Sequence, residues 1–151
     1  MSDETLFRIL PLAQQGYCCS QIILLLGLEA QGRSNSGLIR AAAGLCHGIG
    51  GGHSCGALTG AACLLALYAG KGTAAETEDE RLPVMLESLS EWFAGATADY
   101  GGVGCADILG DQAGQPNQHI CGQLIAATVD QSLTILLDNG IDPSEPADEG
   151  S

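Results

Sequence analysis

Residues 41–70 carry no Asp, Glu, Lys or Arg, and a run of that length without charge belongs inside a protein core or in lipid. Within it, Gly48 and the cluster Gly50, Gly51 and Gly52 stand just before an apolar segment, with Cys46, Cys55, Cys63, His47 and His53 around them. The glycines and histidines interrupt the roughly 20 apolar residues that a membrane helix needs, and the apolar segment after Cys55 has the length of a buried core helix. No membrane span is therefore expected. A Gly-rich turn that delivers a cysteine to a helix start suits a reactive or metal-binding thiol.

The rest of the composition narrows the setting of that thiol. At 151 residues the chain fits one domain with a real core and needs no disulfide scaffold merely to fold. It is 46% hydrophobic but only 4% aromatic, so Ala, Leu, Ile and Val must build the interior, and such small side chains favour closely packed helices. A formal charge of -13 with five Lys and Arg argues against nucleic acid or an anionic membrane as partner, because both are bound through basic residues. The amino terminus, MSDETLFRIL, carries acids in place of a basic region and no long apolar run, so no secretory signal is read there and a cytoplasmic location is expected. Seven cysteines in such a chain point to reduced thiols kept for redox or metal chemistry, with a structural disulfide framework the weaker account.

Hydrophobic spacing predicts helices throughout. Leu6, Ile9, Leu10 and Ala13 mark a first helix over residues 5–15, ended by Gly16, and Tyr17 to Leu28 is apolar on nearly every side, as a central helix would be. Ser34 or Ser36 can cap a third helix through Leu38, Ile39, Ala42 and Leu45, and Ser54 can cap a fourth from Cys55 to about Ala69, with Gly70 closing it. After an acidic connection over residues 71–81, the stripe Val84, Leu86, Leu89, Trp92 and Phe93 predicts a fifth. A second glycine turn, Gly101, Gly102 and Gly104, precedes Cys105 and a short helical segment, repeating the pattern of the first. Asn117 can cap a last helix through Ile120, Leu124, Ala127, Leu133, Ile135 and Leu136, with Asn139-Gly140 as its stop. No alternating strand pattern is present. The expected fold is all-α, a single-domain compact bundle of about six or seven helices over residues 1–140, followed by an acidic, disordered tail over 141–151.

Cys19, Cys55, Cys105 and Cys121 share one placement, at or near a predicted helix amino terminus. Free N–H groups and partial positive charge there stabilise a thiolate. If these helix ends converge, the sulfurs can pair as exchangeable disulfides or ligate one metal or cluster. No C-x-x-C pair is present, which argues against a thioredoxin-type motif or a zinc ribbon. His53 and His119 each stand two residues before a cysteine and are candidate additional ligands. Gly56 and Gly60 form a small-x-x-x-small face that lets two helices approach closely.

GYCCSQ at residues 16–21, GGGHSCGALTGA at 50–61, GCADILG around Cys105 and the late Cys121 resemble the family of suspected redox-active proteins named for a C-GCAxxG-C-C cysteine pattern. The resemblance runs from about Gly16 to Leu124. It implies a small helical protein of anaerobic prokaryotes with Cys19, Cys55, Cys105 and Cys121 as its functional cysteines. Here the central motif reads Cys55-Gly56-Ala57-Leu58-Thr59-Gly60, with Cys and Gly in the opposite order from the family's name, and Cys18, Cys46 and Cys63 lie outside the pattern. Of the adjacent Cys18 and Cys19, Cys19 is expected to face the site and Cys18 to pack as a small apolar residue.

The leading expectation is a thiol–disulfide protein in which Cys55 and a partner among Cys19, Cys105 and Cys121 cycle, exchanging electrons with a redox protein partner. The alternatives are a module holding an iron–sulfur cluster or zinc through the same cysteines with His53 or His119, and a helical adaptor whose acidic surface docks a basic partner.

Overall fold

In the computed structural model, which describes residues 3–110 and 118–146, the charge-free stretch divides into a tight loop and a buried helix. The described residues form seven α-helices: α1 (Asp3–Gln14), α2 (Cys19–Ala30), α3 (Ser36–Ala42), α4 (Gly56–Ala69), α5 (Arg81–Ala96), α6 (Cys105–Leu109) and α7 (Gln118–Asp138). There is no strand among them, so the fold is all-α as the spacing indicates.

The apolar-all-round helix is central. α2 packs on α4, α7, α3 and α1, with Ile22, Ile23, Leu24, Leu26 and Leu28 all buried. Its closest neighbour is α4, and glycine sets that distance. A Cβ at Gly60 would stand 2.8 Å from the Ser20 Cα, and one at Gly27 would stand 3.1 Å from the Leu64 side chain. The small face read from Gly56 and Gly60 is thus a helix–helix contact. Ser20, fully buried between the two helices, donates its hydroxyl to the Ala42 carbonyl at 2.8 Å and ties α2 to the end of α3.

Several boundaries differ from the sequence reading. Asn35 caps α3, accepting from the Leu38 N–H at 3.0 Å, in place of Ser34 or Ser36. Cys55, not Ser54, is the capping position of α4, because Ser54 is engaged in an antiparallel backbone bridge with Gly104. In α5 the buried face is Leu82, Met85, Leu89 and Phe93, and Val84 is exposed. The i, i+3, i+4, i+7 rule runs through Met85, and the bulk of Val84 draws the apparent stripe one residue early. The start of α5 is fastened to the end of α7 by Arg81, whose guanidinium pairs with Asp79 at 2.6 Å and donates to the Asn139 carbonyl at 2.9 Å.

By length and composition alone, His119–Asp138 of α7 would cross a membrane, the one such helix among the described residues. It packs along α1, α4, α5 and α2, with Ile125, Ala126, Val129, Ile135 and Leu136 buried. At its end Gly140 takes φ +78° and the Ile141 N–H returns to the Leu136 carbonyl at 2.9 Å, the glycine stop that Asn139-Gly140 indicates. Residues 141–146 of the acidic tail are placed, with the Tyr68 hydroxyl donating to the Pro143 carbonyl at 2.8 Å. Asn117 and the tail beyond 146 lie outside the described residues.

Candidate functional site

The two glycine-rich turns meet. The Cys55 N–H donates to the Val103 carbonyl at 2.9 Å and the Cys105 N–H donates to the His53 carbonyl at 2.6 Å. These paired bonds, around the Ser54–Gly104 bridge, set the starts of α4 and α6 side by side. Side chains would prevent it: a Cβ at Gly104 would lie 3.1 Å from the Gly52 carbonyl oxygen, and one at Gly52 would lie 3.0 Å from the Ala106 Cβ. The Asp107 carboxylate, one turn on, accepts from the Gly104 N–H at 3.1 Å and fixes the α6 start.

The first turn has an uncommon backbone. His47 (φ 56°, ψ 36°) and Ile49 (φ 58°, ψ 38°) are left-handed, as are Gly48 (φ +63°) and Gly50 (φ +70°) between and after them. Successive left-handed residues cost roughly 1–2 kcal/mol each when a Cβ is present. The turn closes when the His53 N–H reaches the Gly48 carbonyl at 3.0 Å. A Cβ on Gly48 would run into the His53 backbone, so glycine is required there twice over, by conformation and by space.

Cys18 and Cys46 form a disulfide, with Cα atoms 5.9 Å apart and a sequence separation of 28. This corrects the expectation that Cys18 packs as a free apolar residue, and it gives Cys46 a partner at the cap of α2. The bond joins the start of α2 to the entrance of the left-handed turn. The Cys18 N–H donates to Gln21 Oε1 at 3.1 Å, and Gln21 Nε2 donates to the Ile39 carbonyl at 3.1 Å, so the same corner is also held by hydrogen bonds.

Cys19, Cys55, Cys105 and Cys121 all line one cavity of about 200 Å³. Its walls come from α1 (Ile9, Leu10, Ala13), α2 (Cys19, Ile22), α4 (Gly56, Ala57), α6 (Ile108) and α7 (Gly122, Ile125). Cys55 and Cys105 are buried, while Cys19 and Cys121 are half-buried. The Cys19 sulfur sits against the first residue of α4, beside Cys55, whose side chain hydrogen-bonds it. Glycine permits this too, since a Cβ on Gly56 would collide with the Cys19 sulfur.

The two thiols are shifted in opposite directions. The hydrogen bond from Cys55 holds the Cys19 thiol below its ordinary pKa, helped by the Ser20 N–H, against burial and the nearby Cys121 and Cys105 sulfurs. Donating that bond pushes Cys55 upward; burial adds to it, and the Ala57 and Leu58 N–H groups of the α4 start oppose it. Of the two, Cys19 is the more readily ionised thiol and Cys55 the one that keeps its proton to higher pH.

Other candidates stand apart. Cys63 is exposed on α4, and His53 and His119 are exposed and do not line the cavity. His47 does line it, a placement that nothing in its sequence neighbourhood signals. Among the described residues, no group of three or more His, Cys, Asp or Glu side chains is arranged to hold a metal ion, so the donor set does not fit zinc or a cluster in this arrangement.

The family model described as "Putative redox-active protein (C_GCAxxG_C_C)" matches residues 17–135, an interval that contains every cysteine of the cavity. No curated protein and no solved structure matches the chain.

Proposed function

The chain belongs to the C_GCAxxG_C_C family of putative redox-active proteins, and from that premise we propose that it is a thiol–disulfide redox protein whose exchanging pair is Cys19 and Cys55. The observation that carries this reading is the Cys19 sulfur seated against Gly56, the residue that follows Cys55, with both cysteines lining one cavity. Two thiols in that relation form a disulfide by losing two electrons and two protons to an oxidant. Cys19 attacks, and the Cys55 proton is available to the group that leaves. Cys105 and Cys121 border the same cavity and add two further thiols to it, while Cys55 resolves a mixed disulfide on Cys19. A redox protein partner, acting in the cytoplasm, is part of the same reading.

The test is to block free thiols before and after mild oxidation and to map the difference by peptide mass. Oxidation should remove Cys19 and Cys55 together from the labelled set while Cys63 stays labelled. If every cavity cysteine labels equally before and after oxidation, the reading is wrong.

A further inference from the structure

The cavity beside the thiols has its own chemistry. The described residues that line it include no Lys, Arg, Asp or Glu; apart from the cysteines, Tyr17 and His47 they are apolar residues and glycine. Its volume of about 200 Å³ lies below the ~300–1,000 Å³ of drug-sized ligand sites. It is nearer the ~150 Å³ apolar cavity that accommodates benzene. The chain's formal charge of -13 adds long-range repulsion of anions. A protein partner has to present its cysteine to this opening, whereas a small neutral molecule can enter it whole.

We propose that this cavity is a substrate site for a small, uncharged organic disulfide, R–S–S–R, and that it discriminates against anionic disulfides of the tripeptide kind. The inference rests on Cys19 and Cys55 being the exchanging pair. The Cys19 sulfur attacks one sulfur of the bound disulfide, forming Cys19–S–S–R and releasing R–S⁻, which takes the Cys55 proton and leaves as R–SH. The Cys55 thiolate then attacks the Cys19 sulfur and expels the second R–S⁻, which is protonated from water. The protein dithiol is oxidised to the Cys19–Cys55 disulfide and one R–S–S–R is reduced to two R–SH. Apolar walls favour the neutral R groups and exclude carboxylates, which would lose hydration there without a cationic partner.

Cys63, exposed on α4 and outside the cavity, serves as a reference thiol within the same molecule. The experiment treats the full chain, with its Cys18–Cys46 bond intact, with bis(2-hydroxyethyl) disulfide or glutathione disulfide, quenches in acid and maps the products. The expected result is a Cys19-to-Cys63 rate ratio at least tenfold higher for the neutral disulfide than for the anionic one. Ala57→Leu, which fills the cavity, should lower the neutral rate at Cys19 at least tenfold and leave Cys63 unchanged. Because Ala57 is buried and the leucine variant can misfold, Gly122→Ala is the second probe. Its added Cβ meets only the Leu6 Cδ1, at 3.5 Å, so it adds a methyl group at a cavity-lining position without a clash, and it should give a smaller loss in the same direction. Equal ratios for the two disulfides, with the Cys19–Cys55 bond still forming, would overturn the substrate assignment and leave the thiol–disulfide reading standing. Failure of Cys19 and Cys55 to join under any disulfide, or under diamide, would overturn both.

Discussion

The Cys19 sulfur occupies the place where a side chain on Gly56 would begin. The first residue of α4 is thus glycine for the sake of a thiol on another helix. Gly56→Ala should displace the Cys19 sulfur, weaken its hydrogen bond with Cys55 and destabilise the fold by about 1–3 kcal/mol, the usual range for overpacking. Gly95→Ala is the control, since a Cβ there meets nothing within 4 Å. Thermal melts and the alkylation rate of Cys19 measure both effects, and a Gly56→Ala protein with unchanged Cys19 reactivity would contradict the assignment.

The hydrogen bond from Cys55 keeps Cys19 ionised at lower pH than an ordinary thiol. Replacing the donor, Cys55→Ala, should move the Cys19 alkylation profile upward in pH. The reverse variant, Cys19→Ala, removes the acceptor that holds the Cys55 proton and should bring the Cys55 profile down. Two profiles that shift in the same direction would mean the sulfurs are not coupled.

The Cys18–Cys46 bond closes a loop with a sequence separation of 28, for which chain entropy gives about 3.5 kcal/mol of stabilisation. Cys18→Ser, Cys46→Ser and mild reduction of the native chain should each lower the denaturant midpoint by a similar amount. Reductant should have no further effect on either variant. A reductant-sensitive Cys18→Ser midpoint would mean that a different disulfide supports the fold.

Gly48 and Gly50 both have positive φ, but only the first is also crowded, by the His53 backbone. Gly50→Ala should cost about 1 kcal/mol from conformation alone, and Gly48→Ala should cost several times more. Ile49, exposed and left-handed, is the opposite case, and Ile49→Gly should stabilise the chain by up to about 1 kcal/mol. Chemical denaturation of the three variants gives the ranking directly.

Asp79 is held down to a pKa of about 2, first by its side-chain hydrogen bond from Arg81 and then by the Arg81 N–H. A carboxyl with a depressed folded value contributes stability above its unfolded pKa of about 3.9 and loses it as pH falls toward the folded one. The contribution should therefore fade between about pH 4 and pH 2. Urea midpoints at pH 5 and pH 2.5 should differ less for Asp79→Asn than for the native chain.

Much of this is legible in the residues, for identifiable reasons. The periodicity of α2 and α7 spans several turns, enough to read a buried helix from one sequence. Gly56 and Gly60 recur at the interval that places them on one face of α4, so their role as a close contact is visible without the partner. The thiol placement follows from the local rule that a glycine turn before an apolar run starts a helix. The Cys18–Cys46 bond is not legible, because vicinal cysteines offer no local signal for which of them turns toward a third residue in another segment. The cap of α4 falls one residue later than its side chains suggest, because Ser54 has the right side chain but its backbone is committed to Gly104, a contact far away in sequence. His47 is hidden for a similar reason: it reaches the cavity only because the backbone turns left-handed at that point.

The pair of backbone bonds that links His53 to Cys105 and Cys55 to Val103 works as a yoke. Neither glycine turn can swing without dragging the other, so the sulfurs of Cys55 and Cys105 move as one piece, and the Cys18–Cys46 tether anchors that piece to the root of α2. The starts of α2, α4 and α6 thus share one frame, cross-linked by a disulfide at one end and by backbone bonds at the other.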